Sequence, residues 1–337
     1  MASKKTGWAI LGCGRVADRR VAPVFARMES ARLVAACSRS RVHARHFAER
    51  HNAPRDYDSL DALLADPDVD VVYIATPNAN HAEHTLKCLA AGKHVLVDKP
   101  MATRSTDAEA MIHAARKAGR LLSVLHQQRF HPANMHMIRL VDDGTLGPLV
   151  MVRGQIGMWY PPSDNWRLTK STAGGGAAMD LGPHALDLLM ELGGPVKQVS
   201  STVRNMQHQY EVEDFVCARL DFASGVIGLC DMAYCYHDYG GRMEVFGSKG
   251  SFASRGAMQQ AALYQSWLRR GETVEPMQED SYADCFLAAI EDFNDAVRSG
   301  EEPSISAIDG LRVLKVIEAI YESGRQGRPV AVEPMKV

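Results

Sequence analysis

The feature that most constrains the fold of this chain is a glycine-rich loop at the end of its first apolar run. The segment Gly12–Ala17 has the form G-x-G-x-x-A, and it lies between the strand-like run Trp8–Leu11 and a helix-like segment. In that position the glycines allow a tight turn and a close backbone approach to a pyrophosphate, which the helix dipole also favours. A tight strand-to-helix turn without a ligand is the alternative. The residues predicted to bind a dinucleotide here are Gly12, Gly14, Arg15, Val16 and Ala17.

Apolar runs alternate with helix-like segments throughout residues 1-128. The further strand-like runs are Leu33–Cys37, Val69–Ala75, His94–Val97 and Leu121–Gln127, and the helix-like segments are Val16–Met28, Val42–Arg50, Ser59–Ala65, His81–Ala91 and Asp107–Lys117. Strands that alternate with helices pair in parallel through right-handed crossovers. The pattern therefore predicts an α/β, Rossmann-type dinucleotide-binding domain with up to six strands.

Residues 129-337 follow a different pattern, in which strand-like stretches succeed one another without intervening helices. These stretches are Leu149–Met158, Val196–Arg204, Phe215–Phe222, Val226–Ala233 and Arg242–Phe246. Consecutive strands of this kind indicate an antiparallel sheet, so the second domain is predicted to be α+β. The late helices 283-323 comprise two amphipathic segments. We expect them to pack against one of the two sheets, either that of the second domain or that of the first.

Composition excludes several classes of function. With 38 Lys and Arg against 40 Asp and Glu, the net charge of -2 argues against a protein that binds nucleic acid by neutralising phosphates. No apolar run approaches the roughly 20 residues of a membrane helix, and residues 1–6 contain no signal-peptide core. The seven cysteines and the spaced histidines supply no compact metal-ligand set. We expect a cytoplasmic protein without a metal, a membrane or a nucleic acid partner.

The end of the second predicted strand bears on which dinucleotide binds. An NAD site usually has an acidic residue there for the ribose 2′-hydroxyl, whereas this chain has Ser38, Arg39, Ser40 and Arg41. Ser38 can donate to a 2′-phosphate, and Arg39 or Arg41 can supply a planar charge. The segment favours NADP(H) over NAD(H), which stays possible because a solvated basic loop would have the same residues.

Three further motifs follow in order along the chain. They are Ala75-Thr76-Pro77-Asn78 with His81, then Asp98-Lys99-Pro100 after an apolar run, then Gly174-Gly175-Gly176 with Asp180 and His184. Together with Phe246–Ser251, this ordered set resembles the Gfo/Idh/MocA family of oxidoreductases over nearly the whole chain. The resemblance implies a Rossmann domain followed by an α+β domain with a large open sheet, and a homo-oligomer, dimer or tetramer, formed through that sheet.

The resemblance also implies residue roles. Lys99 matches the lysine of the family's Glu-Lys-Pro motif, here Asp-Lys-Pro with Asp98 one methylene shorter, and Asp180 and His184 match its later acid and histidine. Prolines 77 and 100 follow parallel strands at the edge where open α/β sheets bind ligands. The remaining residues predicted to contact the cofactor are Thr76, Pro77, Asn78, His81, Asp98, Lys99, Pro100 and Gln127.

The chemistry of hydride transfer supports these roles independently. Moving a hydride between nicotinamide and a carbinol carbon requires a proton to join or leave the oxygen, and His184 is the natural candidate because an unperturbed imidazole titrates near neutral pH. Lys99 can stabilise negative charge on that oxygen, while Asp180 can orient His184 or hold a substrate hydroxyl. Each residue has a simpler interpretation: a helix cap for Asp180, a structural histidine for His184, and a solvated lysine for Lys99.

Aromatic residues and an arginine precede the glycine run and predict a carbohydrate-binding wall. Trp159, Tyr160, Trp166 and Arg167 offer faces for a sugar ring and a donor for its hydroxyls, although a packed loop over the sheet would have the same composition. The sequence of this segment, followed by the triple glycine, is similar to that of the NADPH-dependent 1,5-anhydro-D-fructose reductase branch of the family. Substrate contacts are therefore expected from Trp159, Tyr160, Trp166 and Arg167 together with Lys99, Asp180 and His184.

The sequence thus predicts an NADP(H)-dependent oxidoreductase acting on a carbonyl or hydroxyl carbon of a sugar or cyclitol, with reduction of a ketosugar favoured. Three alternatives stay open at this point. They are an NAD(P)-dependent sugar or inositol dehydrogenase, an NAD-dependent glycosidase of the same fold, and a nucleotide-dependent regulator without enzymatic activity. A regulator needs the binding loop but no proton-transfer set, so Lys99, Asp180 and His184 argue against it.

Overall fold

The chain folds into two compact units, each with its own sheet. The computed structural model describes residues 4–237, 240–258, 264–277, 284–335 and 337. The first unit comprises Met1–Leu125, Phe286–Leu311 and Lys336–Val337, and the second comprises His126–Cys285 and Arg312–Met335. The predicted start of the late helices at residue 283 lies outside the described residues.

The first unit contains a six-stranded parallel sheet of the predicted Rossmann type. Its strands are β1 (Thr6–Leu11), β2 (Ala31–Cys37), β3 (Arg55–Tyr57), β4 (Val71–Ile74), β5 (His94–Asp98) and β6 (Leu122–Leu125). Its first four α-helices are α1 (Arg41–Arg50), α2 (Leu60–Leu64), α3 (His81–Ala90) and α4 (Ser105–Ala118). The strand order β3-β2-β1-β4-β5-β6 reverses direction between β1 and β4, where a doubly wound sheet binds its ligand.

The segment after the glycine loop departs from the predicted α-helix over Val16–Met28. It forms a π-helical turn over Ala17–Val21 and a 3₁₀ turn over Ala22–Ala26. Pro23 explains the break, because it has no N–H to donate to the preceding turn and its ring disfavours a regular α-helix. The start of the helical segment, which faces the loop, keeps its position.

Helix α9 (Cys285–Ser299), through its residues Phe286–Ser299, packs on the sheet of the first unit. Trp8 on β1 lies against Phe25 and Phe293, with ring centroids 5.5 and 5.9 Å apart, and its indole Nε1 donates to Asn294 Oδ1 at 3.0 Å. Trp8 is fully buried, so this hydrogen bond satisfies a donor that would otherwise be lost from water. These contacts attach the late helix to the parallel sheet.

The second unit contains a nine-stranded, mostly antiparallel sheet. Its strands are β7 (Leu149–Gly157), β8 (Val196–Arg204), β9 (Phe215–Phe222), β10 (Ile227–Ala233), β11 (Arg242–Gly247), β12 (Ser251–Arg255), β13 (Gln265–Arg270), β14 (Thr273–Met277) and β15 (Val330–Ala331). The order is β14-β13-β12-β11-β7-β10-β9-β8-β15, and among the described strands the β7–β10 pair is parallel while the other pairs are antiparallel.

Helices cover one face of this second sheet. Among them, α7 (Ala177–Asp180) and α8 (Gly182–Gly193) contact β7, β9 and β10. The second unit also contains α5 (Pro132–Asp142), α6 (Lys170–Ala173) and the part of α10 (Ala307–Gln326) from Arg312 onward. Gly154 on β7 faces α8, since a Cβ at that position would make ordinary van der Waals contact with Ala185 at 3.4 Å and with Leu189 at 3.5 Å. Burial alternates along β9, as expected for a sheet with one covered face. Within the described residues, no helix is long and apolar enough to cross a membrane.

Candidate active site

The glycine loop of the first unit is shaped by contact with the neighbouring strand ends. Gly12 has a φ of +101°, and a Cβ on it would lie 2.6 Å from the carbonyl oxygen of Ala75. The Gly12 amide donates to Cys37 O at 2.9 Å, which joins the loop to the end of β2. Gly12 is therefore required by the backbone itself, whether or not a ligand is bound.

Gly14 differs from Gly12, because no heavy atom lies within 4 Å of the Cβ it would have. The helical segment begins directly behind it, as Asp18 N–H donates to Gly14 C=O at 2.9 Å. The amides of Arg15, Val16 and Ala17 belong to this first turn, where backbone N–H groups lack partners further back in the helix. Open space in front of a helix start fits a pyrophosphate, so the loop fits a dinucleotide.

Cys13, the residue between the two glycines, has a structural environment. Its side chain is buried and its Sγ lies 3.5 Å from Cys37 O. Burial raises the pKa of the Cys13 thiol to about 12, with the neighbouring Cys37 and Asp18 adding to the effect. A thiol with this pKa is protonated at neutral pH and is a poor nucleophile.

The two arginines predicted to meet a 2′-phosphate have different surroundings. Arg41 donates from Nε to Asp56 Oδ1 at 2.5 Å and lies 3.8 Å from Asp58, so its charge is already paired with carboxylates. Arg39 is exposed and has no ion pair among the described residues. Ser38 is half-buried, and its amide donates to Tyr57 O at 3.1 Å. Arg39 is therefore the better candidate of the two for a phosphate.

His81 joins the turn after β4 to the turn after β5. Its Nε2 lies 2.8 Å from Thr76 O and its Nδ1 lies 2.8 Å from Pro100 O. Burial lowers the pKa of His81, against the opposing effect of Asp98. Because a carbonyl only accepts, the neutral ring donates to one of the two oxygens and the imidazolium would donate to both. The structure thus brings Thr76, His81 and Pro100 together.

The other predicted residues of these two turns also lie at the carboxyl ends of β4 and β5. Pro77 precedes a short 3₁₀ turn, Asn78–Asn80, in which Asn78 is buried. The Lys99 amide donates to Asp98 Oδ1 at 2.8 Å, and the Lys99–Pro100 peptide is cis. The Asp98 carboxylate therefore accepts from the amide of its own backbone neighbour.

Gln127 and the two residues after it begin the second unit. Gln127 is buried, Gln128 Nε2 donates to Met258 O at 3.0 Å, and the Arg129 guanidinium forms a bidentate pair with Asp187 at 2.7 and 2.8 Å. The Arg129 guanidinium thus neutralises the buried carboxylate of Asp187. The described residues contain no group of three or more His, Cys, Asp or Glu side chains that could hold a metal.

Asp180 lies at the end of α7 between two donors of the second unit. Tyr234 OH donates to Asp180 Oδ2 at 2.9 Å, and Arg167 Nε lies 3.6 Å from Asp180 Oδ1. The Arg167 guanidinium also lies over the ring of Trp166, 4.3 Å from its centroid. The structure therefore brings Trp166, Arg167 and Asp180 together. Tyr234 joins them, although no local motif marks it in the sequence.

His184 lies in the first turn of α8, four residues after Asp180. Its amide donates to Leu181 O at 3.1 Å and its side chain is half-buried. A half-buried imidazole keeps part of its ring accessible, as proton exchange with a ligand requires.

The predicted aromatic wall is a packed cluster rather than a row of open faces. Trp159 stacks on His237, with centroids 4.2 Å apart, and meets His208 edge-on at 4.7 Å. Tyr160 stacks on Tyr234 at 5.1 Å. One face of Trp159 is thus occupied by protein, which limits a sugar to the remaining surface of the cluster.

A cavity of about 560 Å³ in the first unit lies away from these residues, at the amino-terminal ends of β1, β4 and β5. Its cations are used by the protein: Lys93 Nζ donates to Asp66 O and Val69 O, and Arg120 Nε donates to Gly92 O. Basic side chains commonly stabilise carbonyls in this way at helix ends. The cavity shares no residue with the candidate site.

Both halves of the chain match models of known protein families. A model described as "Oxidoreductase family, NAD-binding Rossmann fold" matches residues 6–126, and the GFO/IDH/MocA C-terminal domain model matches residues 135–253. A 1,5-anhydro-D-fructose reductase from Ensifer adhaerens is 30% identical over 329 residues, which cover 97% of this chain and 98% of that protein. A scyllo-inositol 2-dehydrogenase (NADP(+)) from Bacillus subtilis is 27% identical over 81% of this chain and 82% of its own length.

Among solved structures, the aldose-aldose oxidoreductase from Caulobacter crescentus complexed with glycerol has a TM-score of 0.91 and 34% sequence identity. The match covers 97% of this chain and 100% of that one. The similarity therefore extends through both units and agrees with the predicted pairing of a Rossmann domain with a large, mostly antiparallel sheet.

Proposed function

The chain belongs to the Gfo/Idh/MocA family of oxidoreductases, and we propose that it is an NADP(H)-dependent enzyme that reduces the carbonyl group of a ketosugar. The observation that carries this proposal is the combination of an open glycine loop in the first unit with an Asp180–Arg167–Tyr234 cluster in the second. The first suits a dinucleotide, and the second presents polar groups beside aromatic rings, as a sugar requires.

The proposed preference for NADP(H) rests on Arg39. A 2′-phosphate needs a cation at the end of β2, and Arg39 is exposed there while Arg41 is paired with Asp56. The described residues of the Ser38–Arg41 segment include no carboxylate that would favour a free ribose 2′-hydroxyl. One of the similar proteins is named as an NADP(+) enzyme, which is consistent with this assignment.

Bound NADPH would supply the hydride. The protein's own residues supply the proton and the orientation: in the proposal, His184 donates a proton to the carbonyl oxygen and the Lys99 ammonium stabilises the charge that develops on it. Asp180 accepts a substrate hydroxyl or orients His184, and Tyr234 and Arg167 hold its carboxylate in place. Thr76, Pro77, Asn78 and Pro100 shape the edge of the sheet against which the nicotinamide would lie.

A ketosugar of the 1,5-anhydrofructose type is the proposed substrate class. The similarity to an anhydrofructose reductase spans nearly the full length of both proteins, and the aldose-aldose oxidoreductase structure is similar throughout. Arg167 and the exposed part of the aromatic cluster formed by Trp159, Tyr160 and Trp166 would contact the ring. The similarity to an inositol dehydrogenase supports a second candidate, an NAD(P)-dependent sugar or cyclitol dehydrogenase.

The test is the loss of NADPH absorbance on addition of 1,5-anhydro-D-fructose, for the wild-type protein and for His184→Ala and Lys99→Ala. We expect turnover by the wild type and a fall in kcat of about 10²- to 10⁴-fold in each variant, the range typical of a lost proton donor or charge-stabilising group. The Kd for NADPH, measured separately by fluorescence, should stay within about twofold in His184→Ala. Unchanged turnover in both variants would contradict the assigned roles.

The same assay separates the alternatives. A dehydrogenase would reduce NADP⁺ or NAD⁺ with a polyol or inositol faster than it oxidises NADPH with a ketosugar. A glycosidase would release sugar from a glycoside without net change in NADPH. A nucleotide-dependent regulator would bind NADPH but turn over none of these compounds. Cytoplasmic location and a dimer or tetramer formed through the second sheet stay predictions.

A further inference from the structure

Two adjacent buried carboxylates, Glu213 and Asp214, bond the backbone segments that carry the proposed sugar-binding side chains. We infer that this pair positions the substrate half of the site: Glu213 fixes the start of α7 and hence Asp180, and Asp214 fixes the segment 206–208 and the amide of Tyr234. The inference rests on the proposed function, since that proposal assigns Asp180 and the aromatic cluster to the sugar.

Glu213 holds the glycine run through both of its carboxylate oxygens. Gly176 N–H donates to Oε2 and Ala178 N–H donates to Oε1, both at 3.0 Å, and Tyr321 OH donates to Oε1 at 2.9 Å. The Ala177 amide donates to the backbone carbonyl of Glu213 at 3.1 Å. Three consecutive residues at the start of α7 are thus fixed by one residue.

This attachment explains why the run consists of glycines. A Cβ on Gly176 would lie 2.0 Å from Glu213 O, and a Cβ on Gly175 would lie 1.9 Å from Tyr321 OH. Only a residue without a side chain allows these groups to approach. Asp180 follows one helical turn later, and its amide donates to Gly176 O at 2.9 Å, so the position of Asp180 depends directly on the anchored segment.

Asp214 holds a second segment in the same way. Its Oδ1 accepts from Met206 N–H at 2.6 Å, and its Oδ2 accepts from Gln207 N–H at 2.9 Å and His208 N–H at 2.7 Å. The His208 ring lies against Trp159 and stacks on Tyr210, whose hydroxyl donates to Tyr160 O. The Asp214 carboxylate therefore fixes the backbone of His208, whose ring packs in the aromatic cluster.

Tyr234 connects the two anchored segments. Its amide donates to Asp214 O at 2.7 Å, its hydroxyl donates to Asp180 Oδ2 at 2.9 Å, and its ring stacks on Tyr160. It is fully buried. A displacement of either segment would therefore change the bond that holds the Asp180 carboxylate.

The surroundings of the pair indicate a directional role for the charges. Among the described residues, neither carboxylate has a Lys, Arg or His within ion-pair distance, and backbone N–H and tyrosine O–H groups supply the stabilisation instead. Burial raises the pKa of Glu213 despite these bonds. Burying a carboxylate costs desolvation free energy, and apolar side chains would fill the same space without that cost. We therefore assign the two carboxylates the role of orienting the backbone through directional hydrogen bonds.

The test compares Glu213→Gln and Asp214→Asn with Asp66→Asn as a matched control. Asp66 is also buried and accepts from a backbone amide, that of Asp68, and from Tyr57 OH. It differs from the pair in that Arg55 Nε lies 2.8 Å from its Oδ2, and it belongs to the first unit. Each amide substitution places an NH₂ group where an oxygen accepted. Amide hydrogen exchange of the full-length protein and steady-state kinetics of sugar reduction at saturating NADPH are measured for all three variants.

We expect exchange at residues 176–178 to accelerate about 10- to 100-fold in Glu213→Gln, and exchange at 206–208 to accelerate similarly in Asp214→Asn. Per folded molecule, kcat should fall about 10- to 100-fold in both, with the Kd for NADPH within about twofold of wild type. Asp66→Asn should lower the melting temperature but leave kcat per folded molecule within about twofold. If Glu213→Gln and Asp214→Asn matched this control in kcat, the positioning role would be overturned.

Tyr234→Phe serves as a second variant that keeps the ring and removes the hydroxyl bond to Asp180. It should lower kcat without accelerating exchange at 176–178, and it carries the kinetic test if Glu213→Gln does not fold. Wild-type protein that bound NADPH but reduced no sugar would refute the proposed function. In that case the hydrogen-exchange data test the inference by themselves. Unchanged exchange at 176–178 in Glu213→Gln and at 206–208 in Asp214→Asn would overturn it.

Discussion

Gly12 and Gly14 stand two residues apart in one loop, yet alanine at each should have opposite consequences. In Gly12→Ala the new Cβ would lie 2.6 Å from Ala75 O and 2.7 Å from its carbonyl carbon, and the residue would need a φ of +101°. A strained φ of this kind costs about 1–3 kcal/mol, and overlap with backbone that cannot move aside adds to it. We expect a loss of at least about 2 kcal/mol, or a melting temperature lower by about 4–8 °C in a unit of roughly 150 residues.

In Gly14→Ala the new methyl group meets nothing within 4 Å. Stability should therefore stay within about 0.5 kcal/mol of wild type, or rise slightly because alanine restricts the unfolded chain. Binding should respond differently, since a methyl group would stand where backbone must approach the pyrophosphate. We expect the Kd for NADPH to rise at least about tenfold.

Thermal unfolding without cofactor and NADPH titration of the two variants measure these effects separately. The expected result is a destabilised Gly12→Ala protein and a stable Gly14→Ala protein that binds NADPH weakly. Equal stability of the two variants would refute the argument from φ and close approach. Wild-type affinity for NADPH in Gly14→Ala would show that the pyrophosphate does not lie on this loop.

Two further predictions concern charge. Arg39→Ala should raise the Kd for NADPH about 10- to 100-fold and leave the Kd for NADH unchanged. Arg41→Ala should raise the Kd for NADPH less, because Arg41 is paired with Asp56. Equal effects of Arg39→Ala on the two cofactors would contradict a 2′-phosphate contact. Burial lowers the pKa of His131 from 6.5 to about 4, so the unfolded state binds this proton first and stability falls as pH drops from about 6.5 towards 4. His131→Asn keeps an acceptor for the Ala133 amide at the start of α5. In urea unfolding at pH 7 and pH 4, the variant should lose about 3 kcal/mol less stability on acidification than wild type. Equal losses of stability in the two proteins would refute the role given to His131.

Much of the fold could be predicted because each unit buries apolar runs of the period expected for its sheet. The core strands β1, β2 and β4 to β11 were predicted within a few residues. Strand β3, Arg55–Tyr57, was missed because it is short and half-buried, with two charged residues and no apolar run. Strands β12 to β15 are short or lie toward the sheet's edges, where pairing with a neighbour, rather than side-chain pattern, determines the structure.

The candidate site was predictable where a motif constrains the backbone. The motifs located the glycine loop and the turn containing His81, and they marked Trp166, Arg167 and Asp180, which the structure brings together. Glu213, Asp214, Tyr234 and Tyr321 were not predicted, because they act through contacts between residues up to 108 positions apart and no local spacing marks them.

The central claim is that a hydride passes between NADP(H) and a sugar carbonyl carbon. Incubation of the protein with 1,5-anhydro-D-fructose and NADPH deuterated at C4 of the nicotinamide, on the face that is transferred, tests it directly by mass spectrometry of the sugar. We expect a reduced sugar carrying one deuterium on carbon, formed at a rate that falls sharply in His184→Ala. No label in any of a panel of ketosugars and inosose substrates, although NADPH binds, would contradict it.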